Sequence, residues 1–133
     1  MITLKTLDQA TSQQVFDQVV NHLLIQNEKS GYEDGYCVYR LGDKKCAAGC
    51  LISEDEYKKS MEGHGWQYLV REGVAPETHS GLISKLQKIH DRSKPKKWAD
   101  LLKKLAEAEG LTFNWRTNDN LENPIESNST GSL

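Results

Sequence analysis

Apolar side chains recur at helical spacing in three stretches of the chain. Thr11 and Gln14 fit a capping box before the first stretch, which predicts a helix from about Ser12 to Asn27. The second stretch predicts a helix from about Ser80 to Asp91, and the third a helix capped by Ser93 and ended by Gly110. The last two helices follow each other closely and are expected to form an antiparallel helical hairpin. The apolar positions are Val15, Phe16, Val19, Val20, Leu23 and Leu24; Leu82, Ile83, Leu86 and Ile89; and Trp98, Leu101, Leu102 and Leu105.

A β-branched and aromatic run from Tyr36 to Arg40 predicts the first arm of a β-hairpin, with the reversal at Leu41–Lys44. The returning arm, Lys45–Ile52, is built around Cys-Ala-Ala-Gly-Cys. Small side chains let two backbones approach closely, so this arm is expected to pack tightly beneath a helix.

Three shorter patterns complete the prediction. Ser53 as cap with Glu56 at the box position predicts a short helix that Gly63 or Gly65 ends, and Trp66–Arg71 predicts a further helical turn. Leu111–Trp115 alternates like a strand that could pair with the hairpin edge. The expected fold class is therefore α+β, mainly helical with four to five helices and a small antiparallel hairpin.

Length and charge limit the possible functions. The chain has 133 residues, which predicts one globular domain over 1–115 and, from its polar composition, a disordered tail over 116–133. A net charge of −2 gives no global reason to bind nucleic acid or membrane. There is no apolar signal region and no membrane-length apolar run, so we expect a soluble cytoplasmic protein with free thiols.

Several short motifs occur together in a characteristic order along the chain. They resemble a widespread group of small uncharacterised phage and prophage proteins over roughly residues 12 to 113. The resemblance implies a phage-type accessory protein in the cytoplasm of an infected or lysogenic host, and it supplies no catalytic residue and no cofactor. The motifs are Phe16-Asp17-x-Val19-x-x-His22-Leu23, Cys37-Val38-Tyr39-Arg40, Cys46-Ala47-Ala48-Gly49-Cys50-Leu51-Ile52, Tyr57, Glu62-Gly63, Leu86-Gln87-x-x-His90-Asp91, Trp98 and Gly110-Leu111.

The cysteines leave three interpretations open. They are first of all expected to be buried small apolar residues, because their neighbours are apolar. In a zinc site, Cys37, Cys46 and Cys50 would need a histidine, and His64, His79 or His90 could supply it, although paired knuckles are absent. In a thiol enzyme, Cys46 or Cys50 would be the nucleophile with His90 as base and Asp91 nearby. A structural His90–Asp91 pair at a helix end is the favoured alternative, and His22 is expected to bond a carbonyl.

Aromatic and basic residues supply the candidate ligand-binding groups. Tyrosines and a tryptophan cluster around the hairpin, where they either recognise a partner or cover its small residues. Arg40 could bind a carboxylate or phosphate, and the helix start around Lys94 and Lys97 could bind phosphate. The candidate ligand-binding residues are Tyr39, Arg40, Tyr57, Lys94 and Lys97.

The first hypothesis is a non-enzymatic binding protein that contacts a host protein or holds a small phosphorylated, nucleotide-like ligand. The alternatives are the cysteine–histidine enzyme and a nucleic-acid binder that uses the basic face Lys94–Lys104. Neither a cofactor nor a membrane is expected.

Overall fold

The computed structural model describes residues 1–115, so the predicted tail over 116–133 lies outside the described residues. Within residues 1–115 there are four α-helices and one two-stranded antiparallel sheet, which confirms the mainly helical α+β prediction. The division at residue 115 stays a prediction. The elements are α1 (Ser12–Gln26), β1 (Arg40–Leu41), β2 (Lys44–Lys45), α2 (Trp66–Arg71), α3 (Ser80–Arg92) and α4 (Pro95–Glu109), with 3-10 turns at Leu7–Gln9, Gly49–Leu51 and Lys59–Met61.

Helix α1 begins as the sequence predicts. The Thr11 side chain accepts a hydrogen bond from the backbone N–H of Gln14, and the Gln14 side chain accepts one from the backbone N–H of Thr11. The two bonds together form the capping box. The helix ends at Asn27, whose left-handed conformation (φ 52°) suits a short polar side chain. The residues of its apolar face are buried, and α3, α4 and the 3-10 turn Gly49–Leu51 pack against α1.

Helices α3 and α4 form the predicted antiparallel pair. Lys85 bonds Glu109 at 2.7 Å at one end, and the rings of His90 and Trp98 lie 5.4 Å apart at the other. The predicted cap is off by one residue, because Lys94 precedes α4 and Ser93 ends α3. The Ser93 carbonyl accepts the indole N–H of Trp98 at 3.1 Å, so Ser93 closes the connection through its backbone.

The predicted hairpin is present, but its returning arm is not a strand. Only Arg40–Lys45 and Leu41–Lys44 pair, and the chain from Cys46 onward turns into the 3-10 segment Gly49–Leu51, which packs on α1. A Cβ on Gly49 would collide with the carbonyl oxygen of Tyr39. The close approach predicted for the small residues is therefore confirmed, in a turn rather than a strand.

Two predicted elements are absent from residues 1–115. Ser53 and Glu56 form their capping bonds, yet the Glu56 carboxylate also accepts the amides of Leu4 and Lys5. It anchors the N-terminal segment, and a turn forms where a helix was predicted. Leu111–Trp115 pairs with no strand. Instead Thr112 exchanges two hydrogen bonds with the Gln13 side chain, which satisfies its backbone.

No helix within the described range is long and apolar enough to cross a membrane.

Candidate functional site

A tight loop between α1 and β1 presents two tyrosine rings. Gly31 and Cys37 form an isolated bridge, and the Tyr32 amide donates to the Tyr36 carbonyl at 2.9 Å. Gly35, at φ 93°, permits the reversal between them. The Tyr32 and Tyr36 rings lie 6.4 Å apart at 22°, and the residues are 54% and 50% exposed. The loop thus holds two aromatic faces against solvent.

Arg40 and Tyr57, both predicted as ligand-binding residues, are brought together by Glu62. The Glu62 carboxylate accepts three hydrogen bonds. The donors are the backbone N–H of Tyr39 at 2.9 Å, the backbone N–H of Arg40 at 3.2 Å and the Tyr57 hydroxyl at 2.7 Å. The Arg40 guanidinium carbon then lies 4.9 Å from the centroid of the Tyr57 ring, within cation–π range. Loss of contact with water and the bond to Glu62 raise the pKa of Tyr57 to about 12, so its hydroxyl stays protonated.

One surface depression of about 400 Å³ is lined by Tyr32, Tyr36, Arg40, Tyr57 and Glu62, and we call it the aromatic groove. Two cations, Arg40 and Lys59, stand at its wall, and Arg40 pairs with the exposed Glu54. That pairing lowers the pKa of Glu54. The groove therefore combines aromatic ring faces with two positive charges. A ligand anion can bind Arg40 in competition with Glu54. Its lining residues are Tyr32, Tyr36, Val38, Arg40, Leu41, Gly42, Tyr57, Lys59 and Glu62.

A second space of about 250 Å³, the inner cavity, adjoins the groove across Tyr36, Val38 and Glu62. Helix α2 contributes Trp66 to it, and α3 contributes Gln87 and Asp91. The full lining is Tyr36, Cys37, Val38, Tyr39, Cys46, Glu62, Gly63, His64, Gly65, Trp66, Gln87 and Asp91.

His90 and Asp91 form the structural pair that the sequence favoured. His90 is fully buried, its Nε2 accepts the Ser30 amide at 3.0 Å, and its Nδ1 lies 2.8 Å from an Asp91 oxygen. Because Nε2 accepts, Nδ1 carries the proton and donates to Asp91. Both ring nitrogens are thus occupied, and the imidazole is not free to act as a base for a cysteine.

The predicted metal set of Cys37, Cys46, Cys50 and His64 is not gathered. Within residues 1–115 the group that could surround an ion is Cys37, His90 and Asp91, whose ligand atoms lie within 4.8 Å of one another. A metal on Nδ1 of His90 would require a proton on Nε2, which would then face the Ser30 N–H. This clash of two donors opposes metal binding in the observed arrangement. His64 is stacked on Tyr68 at 4.0 Å, and His79 bonds the Ala10 carbonyl.

The three thiols are held in their protonated form. Burial raises the pKa of Cys46, and burial raises the pKa of Cys50 to about 12. For Cys37, burial and the neighbouring Asp91 charge both raise the pKa. Cys46 accepts the Gly49 amide and Cys50 donates to the Ala47 carbonyl, so these sulfurs serve local packing. The thiolate that the cysteine–histidine enzyme needs is therefore disfavoured.

The other predicted ligand residues are dispersed. Tyr39 is buried and its hydroxyl donates to the His64 carbonyl at 2.7 Å, so it supports the inner cavity wall instead of facing solvent. Lys94 and Lys97 are exposed at the start of α4 and line neither the groove nor the inner cavity. His22 bonds the Lys45 carbonyl at 2.8 Å, as predicted.

Glu62 is the residue that sequence reasoning missed. Its role depends on donors from two separate segments, the Tyr39 and Arg40 amides and the Tyr57 hydroxyl, and the only available signal was the place of Glu62-Gly63 among the motifs of the resemblance. Lys59 was likewise not predicted as a groove residue.

A larger depression, about 780 Å³, lies between α1 and the hairpin and includes Met1 and Ile25. It has no aromatic wall, and its charges are mutually compensated, since Lys44 contacts both Glu28 and Asp43. The aromatic groove is consequently the better candidate site.

Comparisons with known proteins do not add to this picture. No protein-family model, no curated protein and no solved structure matches the chain. A function has therefore to be inferred from the chain's own residues.

Proposed function

We propose that the protein is a non-enzymatic binding protein that holds a small phosphorylated ring ligand, of nucleotide type, in the aromatic groove. The observation that carries the proposal is the Arg40 guanidinium 4.9 Å over the Tyr57 ring, beside the exposed rings of Tyr32 and Tyr36. Tyrosine faces accept a flat ring, and an arginine fork accepts two phosphate oxygens.

The site chemistry favours binding over catalysis. A nucleophile must be activated by a base or by a lowered pKa, whereas the cysteine pKa values are raised and both nitrogens of His90 are occupied. The groove volume of about 400 Å³ falls in the range of small-ligand pockets. In the phage setting that the motif resemblance implies, such a protein would act stoichiometrically, withholding the ligand from a host system.

Glu54 provides a sharp test because it competes with the ligand for Arg40. Glu54→Gln removes the competing carboxylate, so adenosine 5′-monophosphate should bind about 1.5- to 5-fold more tightly, as expected for loss of an exposed ion pair. Asp55→Gln is the neighbouring control, with the same charge change. Titration calorimetry should show the gain for Glu54→Gln alone. Equal effects of both variants would contradict a phosphate contact at Arg40.

A further inference from the structure

We propose that the inner cavity receives an amino-bearing base, of adenine or cytosine type, while the aromatic groove holds the phosphate of the same ligand. This inference rests on the phosphate contact at Arg40 in the proposed function. It adds the identity of the ring and places the ring in the inner cavity, past Tyr36, which lines both spaces. The two spaces share the lining residues Tyr36, Val38 and Glu62 and therefore lie next to each other, so a ligand that occupies both would pass these side chains. At about 250 Å³, the inner cavity is smaller than a typical drug-sized pocket and suits one ring system.

The charged residues of the two spaces differ. Glu62 lines both, but the groove also has Arg40 and Lys59, whereas the inner cavity also has Asp91 and is lined by no lysine or arginine. A ligand with an anionic end and a hydrogen-bond-donating end complements this arrangement. A nucleotide with an exocyclic amino group has both ends.

Asp91 is the acceptor available to that amino group. Glu62 is already occupied by three donors. The Asp91 side chain remains 38% exposed, the bonds from His90 and Gln87 both go to its Oδ1, and the Cys37 thiol is a further, weaker donor beside it. Burial opposes its ionisation, yet the hydrogen bonds from His90 and Gln87 outweigh burial and lower the pKa of Asp91. The carboxylate is thus charged and has acceptor capacity left.

Trp66 gives an independent indication of an occupant. It lines the inner cavity and is 4% exposed, and its indole Nε1 is the one buried side-chain nitrogen or oxygen without a partner in residues 1–115. Buried donors are normally satisfied, and a ring nitrogen of a base is a suitable acceptor. The aromatic walls formed by Tyr36, Tyr39 and Trp66 also suit a flat ring.

The experiment compares adenosine and inosine 5′-monophosphates, which differ by an amino group and a carbonyl. Adenosine monophosphate should bind about tenfold or more tightly, because inosine would place an acceptor opposite the Asp91 carboxylate. In a ¹H–¹⁵N correlation NMR spectrum of the wild-type protein, the indole N–H signal of Trp66 should shift on binding. The signal is assigned by its absence from the spectrum of Trp66→Phe. Equal affinities with an unmoved Trp66 signal would overturn the assignment of the inner cavity.

A variant separates this inference from the proposed function. Asp91→Asn keeps an oxygen for the His90 proton and should abolish the preference for adenosine monophosphate while ribose 5-phosphate affinity stays unchanged. Asp100→Asn, on exposed α4 surface, is the matched control. Should Asp91→Asn fail to fold, the wild-type comparison still decides. If adenosine monophosphate, inosine monophosphate and ribose 5-phosphate all fail to bind, the proposed function itself is overturned.

Discussion

The backbone N–H of Ser30 donates to Nε2 of His90 across 3.0 Å, and both residues are completely buried. This bond ties the segment after α1 to the C-terminal end of α3. It also sets the tautomer, so that Nδ1–H donates to Asp91 at 2.8 Å. Because of the Ser30 hydrogen bond, the imidazole donates to Asp91 and fixes the orientation of the Asp91 carboxylate beside the inner cavity.

His90→Leu should destabilise the protein by about 1–3 kcal/mol or more, because it leaves the Ser30 amide buried without an acceptor. The free energy of unfolding in urea measures the effect. His64→Leu, at an exposed position, is the control and should change stability little. Similar losses for the two variants would refute the structural role of the Ser30–His90 bond.

Gly49→Ala should be strongly destabilising, because its Cβ would overlap the Tyr39 carbonyl oxygen, which is part of the backbone and cannot move aside. Gly81→Ala in α3 meets no atom within 4 Å and should be neutral or stabilising by up to about 1 kcal/mol. Thermal melting of the two variants compares them directly. A tolerated Gly49→Ala would show that the small-residue turn does not pack as closely as described.

Two buried tryptophans differ in one hydrogen bond. Trp98→Phe removes the bond to the Ser93 carbonyl, whereas Trp66→Phe removes an N–H that has no protein partner. In the free protein, Trp66→Phe should therefore be about 1 kcal/mol less destabilising than Trp98→Phe. Denaturant unfolding without ligand gives both values. A larger loss for Trp66→Phe would mean that its N–H is satisfied within the protein.

The raised thiol pKa values predict a stability change at alkaline pH. An unfolded thiol ionises near 9.0, whereas burial raises the pKa of Cys50 in the folded protein to about 12. The unfolded state therefore loses protons first, and the thiol contribution, fully present below pH 9.0, declines as pH rises toward 12. Cys50→Ala should flatten this decline in urea unfolding measured across that range. An unchanged slope would indicate that Cys50 ionises as readily folded as unfolded.

The sequence predicted the parts of the fold that depend on local pattern. The α1 capping box and the α3–α4 pair follow from neighbouring residues, and the small-residue segment Cys46–Cys50 predicted close packing although not its 3-10 turn. The sequence could not show that the short helix predicted after Ser53 is absent. The Glu56 carboxylate accepts hydrogen bonds from the Leu4 and Lys5 amides, which lie more than fifty positions away in the chain.

The candidate site was predictable only in its separate members. Arg40 and Tyr57 were recognised by residue type, but their contact depends on Glu62 accepting donors from two segments. Lys94 and Lys97 are also cations that suit phosphate, yet the fold places them outside the groove. Which residues of suitable chemistry meet is settled by tertiary contacts that have no periodic signature.

The central claim is that Arg40 in the aromatic groove binds the phosphate of a nucleotide-type ligand. Arg71 is the matched control. Its guanidinium lies 5.9 Å from the centroid of the Tyr68 ring, and neither residue lines the groove. Calorimetric dissociation constants for adenosine 5′-monophosphate test the claim in Arg40→Gln and Arg71→Gln. Arg40→Gln should weaken binding by about 10- to 100-fold, as expected for a lost charged hydrogen bond, and Arg71→Gln should leave it unchanged. Equal dissociation constants for the two variants would contradict the claim.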